Sequence, residues 1–260
     1  MITANPPALQ LYTVREQIAA GRKGLFERIA NFGYGAVEPF DVITAPDRLR
    51  DDLQAAGLAV CSVHGTPYGK RTAAVLRGAS TLGADTVIVP RAPAAMFSSH
   101  EAIEALARRL NDMAATAADA GLRLGYHNHD FELASTVGGR TALEVLADAL
   151  GDGVLLEIDI YWAAVAGQDV PSLLRRLGDR VRYLHIKDGP VARDEPMTAV
   201  GVGRIPVAEI LAASPSAEWH VVELDRCATD LLEAAGASLA WLAARGLAQP
   251  VQPVPSVRNA

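Results

Sequence analysis

The chain has 260 residues, is 50% hydrophobic and 21% charged, and carries a formal net charge of −6. No apolar stretch approaches the roughly 20 residues of a membrane helix, no lysine- or arginine-rich run invites a polyanion, and Cys61 and Cys227 are too few for a disulfide framework or a thiolate zinc site. The opening MITANPPALQ lacks the basic region and apolar core of an export signal, so the expectation is a cytoplasmic protein with neither nucleic acid nor membrane as partner.

Read in chain order, short runs rich in Val, Ile and Leu alternate with longer segments of helical period. ALQLYT (8–13) precedes the helical GLFERIANFGY, and GAVEPF (35–40) precedes PDRLRDDLQAAG. LAVCSVHG (58–65) leads into TAAVLRGASTLG, and DTVIVPR (85–91) into HEAIEALARRLNDMAATAADAG. LRLGYHNH (122–129) is followed by RTALEVLADALG, VLLEID (154–159) by VPSLLRRLG, VRYLHIKD (181–188) by IPVAEILAA, and EWHVVELD (218–225) by TDLLEAAGASLAWLAARG. Strict strand-then-helix alternation implies a parallel sheet, because parallel strands need crossover connections. Eight such units in about 250 residues predict a closed (β/α)8 TIM barrel, an α/β fold. An open doubly wound sheet would want a glycine-rich turn after the first strand, and YTVRE offers none. GVGR at 201–204 lacks a third glycine and reads as a loop. No linker interrupts the alternation, so residues 1–260 form a single domain, with the barrel over about 8–245. The proline-rich tail over 249–260 is extended, either loose or packed on a neighbouring subunit of a homo-oligomer.

In such a barrel the C-terminal strand ends carry the chemistry. Those ends read Tyr12, Glu38, His64, Arg91, His127 with His129, Asp159, His185 with Lys187, and Glu223 with Asp225. Residues two apart on a strand share a face, so His127 and His129, His185 and Lys187, and Glu223 and Asp225 pair off and converge on one cavity. Any one of these alone would more often be a satisfied core or surface residue. Their recurrence at matching positions of separate units is the signal. Imidazole mixed with carboxylate suits Mn, Zn, Co or Fe ahead of Mg. Ligands drawn from several strands leave positions open for substrate. Neither a G-x-S-x-G nucleophile motif nor a Walker-type phosphate loop is present.

LQLYTVRE, VEPF, SVHG, GYHNHDFEL, EIDIYW, HIKD and VELDR resemble, in that order, motifs of the sugar phosphate isomerase/epimerase family within the xylose isomerase-like TIM barrel superfamily. That resemblance spans roughly residues 8–245. In the ketose 3-epimerase relatives one divalent metal ion is held by Glu, Asp, His and Glu. Carried onto this chain, those ligands become Asp159, His185 and Glu223, with His127 in place of the first Glu. Two further departures are Trp162, where the epimerases have a histidine, and Val191, where they have an arginine. The HNHDFE and DxYW forms are similar to the branch containing keto-sugar lyases and dehydratases.

The resemblance implies a metal-dependent isomerase or epimerase that abstracts a proton beside the carbonyl of a ketose or keto-sugar. Glu223, His129 and Glu38 are the expected acid/base residues. His64, Lys187, Trp162, Glu132 and Tyr12 are the expected substrate contacts. The alternative is a lyase or dehydratase acting on a 3-keto-glycoside or inosose through the same metal site. More remote readings are an endonuclease IV-like phosphodiesterase and a sugar-binding barrel without activity. Glu38 and His64 are expected on the far arc from the metal ligands. His129 is expected to be free of the metal and kept neutral beside it.

Overall fold

A computed structural model describes residues 6–252. Its parallel strands are β1 (Ala8–Gln10), β2 (Ala36–Glu38), β3 (Ala59–Val60), β4 (Val63–His64), β5 (Thr86–Val89) and β6 (Arg123–His127). A small antiparallel hairpin, β7 (Thr136–Val137) with β8 (Arg140–Thr141), precedes β9 (Val154–Asp159), β10 (Val181–Ile186) and β11 (Trp219–Val222). The large sheet runs β3-β2-β1-β11-β10-β9-β6-β5-β4. Its two ends, β3 and β4, are consecutive pieces of one barrel strand. The first pairs with β2 and the second with β5. Across the break, the Cys61 and His64 amides donate to the carbonyls of Val37 and Pro39 at 3.1 and 2.8 Å, which closes the ring. The expected TIM barrel is therefore the observed fold, with its third strand interrupted at Cys61–Ser62.

The predicted outer helices are all present: Leu25–Asn31, Pro46–Ala55, Thr72–Leu82, His100–Asp119, Ala142–Ala149, Val170–Leu177, Val207–Ala212 and Leu231–Ala244. In His100–Asp119 the buried residues Ile103, Leu106, Ala107, Leu110, Met113, Ala114 and Ala117 recur at three- and four-residue spacing, one stripe turned to the sheet. Short helices at Arg15–Ala19, Phe131–Ala134 and Ile160–Val165 lie between strands and outer helices, where the sequence pattern predicts none. No described helix is long and apolar enough to cross a membrane. The start of the tail packs on its own barrel, the Val251 amide donating to the Gly33 carbonyl at 2.8 Å. The rest of the tail, over 253–260, lies outside the described residues.

The loop after β10 is folded around one buried carboxylate. Asp188 accepts the backbone N–H groups of Gly189, Gly201, Gly203 and Ile205 at 2.8–3.1 Å. GVGR is thus a loop whose two glycine amides are taken up by the protein's own carboxylate. Its glycines are needed for close approach: a Cβ on Gly203 would lie 2.1 Å from Asp188 Oδ1, and one on Gly201 would lie 1.9 Å from Trp241 Nε1. Asp188→Ala strands these donors in the interior. It is expected to cost at least about 3 kcal/mol in chemical denaturation, since hydrogen bonds to a charged group contribute about 1.5 kcal/mol or more each and water can replace only some of the four.

Candidate active site

Strand register assembles the site. His127 stands opposite Glu157, Asp159 opposite His185, and Gln10 opposite Glu38. All six side chains are buried, and in a barrel this narrow they meet across the axis as well as along the rim. His185 has a carboxylate oxygen at each ring nitrogen: Glu223 Oε2 is 2.7 Å from Nδ1, and Glu38 Oε2 is 2.7 Å from Nε2. His64 Nε2 lies 2.8 Å from Glu157 Oε2 and 3.1 Å from Glu38 Oε2. Gln10 Nε2 donates to Glu38 at 2.6 Å, and the Ser62 hydroxyl donates to its other oxygen.

Above this floor, Asp159 is oriented from both sides. Its amide donates to Asn128 Oδ1, and its Oδ1 caps the helix Ile160–Val165 by accepting the Trp162 amide at 2.9 Å. Oδ2 is left facing His127 Nε2 at 3.9 Å and Lys187 Nζ at 2.9 Å. Lys187 is only 1% exposed, and its ammonium also reaches Glu223 Oε2 at 2.7 Å and Asp225 Oδ2 at 2.9 Å.

Two groups of side chains have the donors and spacing for a cation. One is His127, Asp159, His185 and Glu223; the other is His64, His127, Glu157 and His185. In each, the ligand atoms lie within 4.8 Å of one another. Metal–ligand bonds of about 2.0–2.2 Å place neighbouring ligand atoms roughly 3–4 Å apart, so both groups, spaced within 4.8 Å, need at most a small inward movement to hold an ion. They share His127 and His185, and the contacts on the two sides of each ring involve opposite nitrogens. An imidazole that ligates through one nitrogen keeps its proton on the other, so the two groups are alternatives. Each group has two members on the pocket wall, His127 with Glu223 in the first and His127 with His64 in the second, and the first also adjoins Lys187 through Asp159 and Glu223. The second has Glu157 fully buried, its carboxylate turned to the protons of the histidines.

The pocket has a volume of about 440 Å³ and is lined by Tyr12, Phe40, His64, Pro90, His127, His129, Trp162, Lys187, Glu223 and Asp225. Tyr12, 40% exposed, lies edge-on to Phe40 at 5.5 Å. Trp162 is fixed by a 3.1 Å bond from its indole N–H to Asp225. The His129 ring stands perpendicular to that of His127 at 5.2 Å, and its Nδ1 has no hydrogen-bond partner.

The charges follow from these contacts. Burial opposes the charge on His64, but Glu38 and Glu157 outweigh it and push the imidazole up to about 10. His185 is raised well above the ordinary range in the same way, burial being overcome first by Glu157, then by Glu223 and Glu38. Glu157 is brought down to about 2, with burial and Glu38 opposing and the histidines prevailing. Asp159 rises to about 6, chiefly through burial and against the pull of Lys187. His127 is held well below its usual value by burial and by His185. His129 is pulled down to about 3 by burial, then by Lys187 and Arg91.

His127 is therefore already neutral, and the proton that must leave on metal binding is the one on His185. Loss of one proton makes affinity rise about tenfold per pH unit. Below about pH 6 Asp159 adds a second proton and the slope steepens. Calorimetric titration with Co2+ between pH 5 and 8 measures this, and a pH-independent affinity would remove His185 and Asp159 from the binding event.

Several sequence expectations need correction. Glu38 and His64 come from the far arc of the rim, as expected, but are not separated from the ligand group: Glu38 touches His185 across the axis, and the rings of His64 and His185 stack at 5.4 Å. Glu38 lies fully buried beneath the pocket wall. Tyr12 sits in the 3-10 turn Leu11–Val14, beyond the end of β1, and reaches the pocket from there. His129 lies past the end of β6 and is held by its loop, its amide donating to Glu132 at 2.9 Å. Glu132 is fully buried, accepts the Tyr126 hydroxyl at 2.8 Å, and supports the loop from below. Glu157, Gln10 and Ser62 escaped the sequence reading, although Glu157 stands two residues before Asp159 on the same strand face.

The Xylose isomerase-like TIM barrel family model matches residues 26–245. A sugar phosphate isomerase/epimerase from Parabacteroides distasonis ATCC 8503 superposes with a TM-score of 0.79 at 21% identity, over 94% of this chain and 95% of that one. A probable 3-DHS dehydratase, AsbF, from Bacillus anthracis gives 0.69 at 10% identity, over 92% and 99%. The IOLI protein with a bound zinc atom gives 0.64 at 15% identity, over 90% and 95%. No curated protein matches in sequence.

Proposed function

The chain belongs to the Xylose isomerase-like TIM barrel family, and on that premise we propose that it is a divalent-metal-dependent enzyme that isomerises or epimerises a sugar by moving a proton next to a carbonyl. The observation that carries this reading is that one pocket is lined both by members of a buried ligand group and by a further histidine, His129, outside that group. The chemistry a divalent ion supplies when held by His127, Asp159, His185 and Glu223 is polarisation of a carbonyl and acidification of the neighbouring C–H. The mixed nitrogen and oxygen donors suit Mn, Zn, Co or Fe ahead of Mg. His129, neutral at pH 7 and on the pocket wall, accepts the proton. Lys187 remains protonated and offsets negative charge developing on a substrate oxygen. Trp162, Tyr12 and Phe40 supply flat apolar walls for the C–H face of a sugar. His64 stands at the pocket edge to bind a hydroxyl.

A specific observation favours a second reading, elimination by a keto-sugar lyase or dehydratase. Glu223 is pinned between His185 and Lys187 at 2.7 Å each, and these cations overcome its burial to hold it well below the carboxylate range. Inversion at carbon needs an acid and a base on opposite faces. Elimination needs one base and a leaving group, and His129 is the base without a partner. Incubation of metal-loaded protein in D2O with ketoses, aldoses and 3-keto-glycosides, followed by NMR, tests both. A deuterated isomer or epimer supports the first reading, and an unsaturated or cleaved product supports the second. Failure of every such substrate to exchange its α-hydrogen would remove both.

A further inference from the structure

Glu157 touches more of the site's histidines than any residue singled out in the sequence, yet it is fully buried and does not line the pocket. Its Oε2 lies 2.8 Å from His64 Nε2, 3.0 Å from His127 Nδ1 and 3.2 Å from His185 Nε2. Its other oxygen has no hydrogen-bond partner. A carboxylate so placed can act on a substrate only through these rings.

Register makes the arrangement unavoidable. Glu157 is the direct β6–β9 neighbour of His127, and Asp159 follows two residues later on the same face. The ring of His127 therefore stands between two carboxylates, with Nδ1 toward Glu157 and Nε2 toward Asp159 at 3.9 Å. A neutral imidazole carries one proton, and a carboxylate 3.0 Å from Nδ1 is where that proton is best placed. The Nε2 lone pair is then aimed at the group containing Asp159 and Glu223. Glu38 faces His185 in the same sense, 2.7 Å from Nε2 with Nδ1 turned to Glu223.

We propose that Glu157 is a positioning residue that fixes His127 as its Nδ1–H tautomer, so that Nε2 is available as a metal ligand. The contact is close but poorly aligned as a hydrogen bond, so charge sets the tautomer here more than directional bonding does. This assignment rests on the ligand group His127, Asp159, His185 and Glu223. It explains why a histidine can serve where a glutamate ligand would need no such partner: a carboxylate binds in either orientation, whereas an imidazole presents only one lone pair.

The test is independent of turnover. Nitrogen-15 NMR of imidazole-labelled, metal-free wild-type protein is expected to show His127 protonated on Nδ1. Co2+ titration of Glu157→Gln is expected to show affinity reduced by about 10- to 100-fold, the range typical for loss of a partner to a ligating histidine. The Gln amide can also donate to Nδ1, so a shift of the His127 proton to Nε2 is expected in that variant. In a His127→Ala background, Glu157→Gln should cost less than in the wild type, because His185 is then the only ligand it still contacts. Wild-type protein that takes up no Co2+ would sink the ligand group itself. With wild-type uptake intact, an Nε2–H tautomer of His127, undiminished affinity in Glu157→Gln, or an equal loss in the His127→Ala background would overturn the role of Glu157 alone. Should Glu157→Gln fail to fold, the wild-type tautomer still decides.

Discussion

Asp159→Ala is expected to fold, to lose stoichiometric divalent metal, and to lose turnover to background. The carboxylate donates charge to the ligand group from a fully buried position, and its Oδ2 has no hydrogen-bond partner. Loss of affinity should exceed the roughly 100-fold typical of an outer partner. The substitution also removes the cap on Ile160–Val165, worth about 1 kcal/mol, and one of three anions around Lys187. Against this, a carboxylate whose burial raises it to about 6 is itself a cost to the fold, so the net change in stability should be small. Asp159→Asn separates the two roles, since its amide oxygen can still accept the Trp162 amide. Metal analysis, thermal melts and turnover on the three proteins measure this. A stoichiometric ion retained by Asp159→Asn would take Asp159 out of the site.

His127→Ala and His129→Ala are expected to fail differently, although both rings line one pocket. His127 lies between Glu157 and Asp159 on β6, whereas His129 is carried by the following loop with Nδ1 unpartnered. His127→Ala should lose metal affinity by at least about 100-fold and recover part of its activity in excess metal. His129→Ala should keep its ion and lose about 100- to 10,000-fold in kcat, the usual contribution of a general base. Added metal should not rescue it. If the two phenotypes exchange places, His129 is the ligand. If both variants lose the ion, neither histidine is the free base.

Much of the barrel was legible because alternation of apolar runs and amphipathic helices is dictated by burial. All eight apolar runs became barrel strands, and all eight predicted outer helices formed. The break in the third strand was not legible, since Cys61 and Ser62 keep a strand-like sequence while changing pairing partners. The β7–β8 hairpin was carried by Gly138 and Gly139, both with positive φ, and helical periodicity in the flanking segment masked it. At the site, the period of two brought His185 with Lys187 and Glu223 with Asp225, as the contacts around Lys187 bear out. The same period places Glu157 on the face of Asp159, but a mid-strand residue lies below the strand ends where barrel chemistry is expected. The far-arc position of Glu38 and His64 holds around the rim, yet it does not keep them from the ligands. Side chains from opposite strands fill the interior of an eight-stranded barrel, so distance around the rim says little about contact across it.

Lys187 gives the candidate ligand group a counter-charge that does not depend on any metal ion. Its ammonium sits among Asp159, Glu223 and Asp225, so the carboxylates that await a divalent ion already have a counter-charge made of the chain itself. Structural zinc modules collapse on chelation because nothing else reconciles their ligands. Here, treatment with a chelator should leave melting cooperative and lower Tm only by the ordinary mass-action contribution of a lost ligand. Folding is then complete before the ion arrives, and occupancy is set by whatever metal is available to the finished protein, a setting that can be changed and reversed during its lifetime.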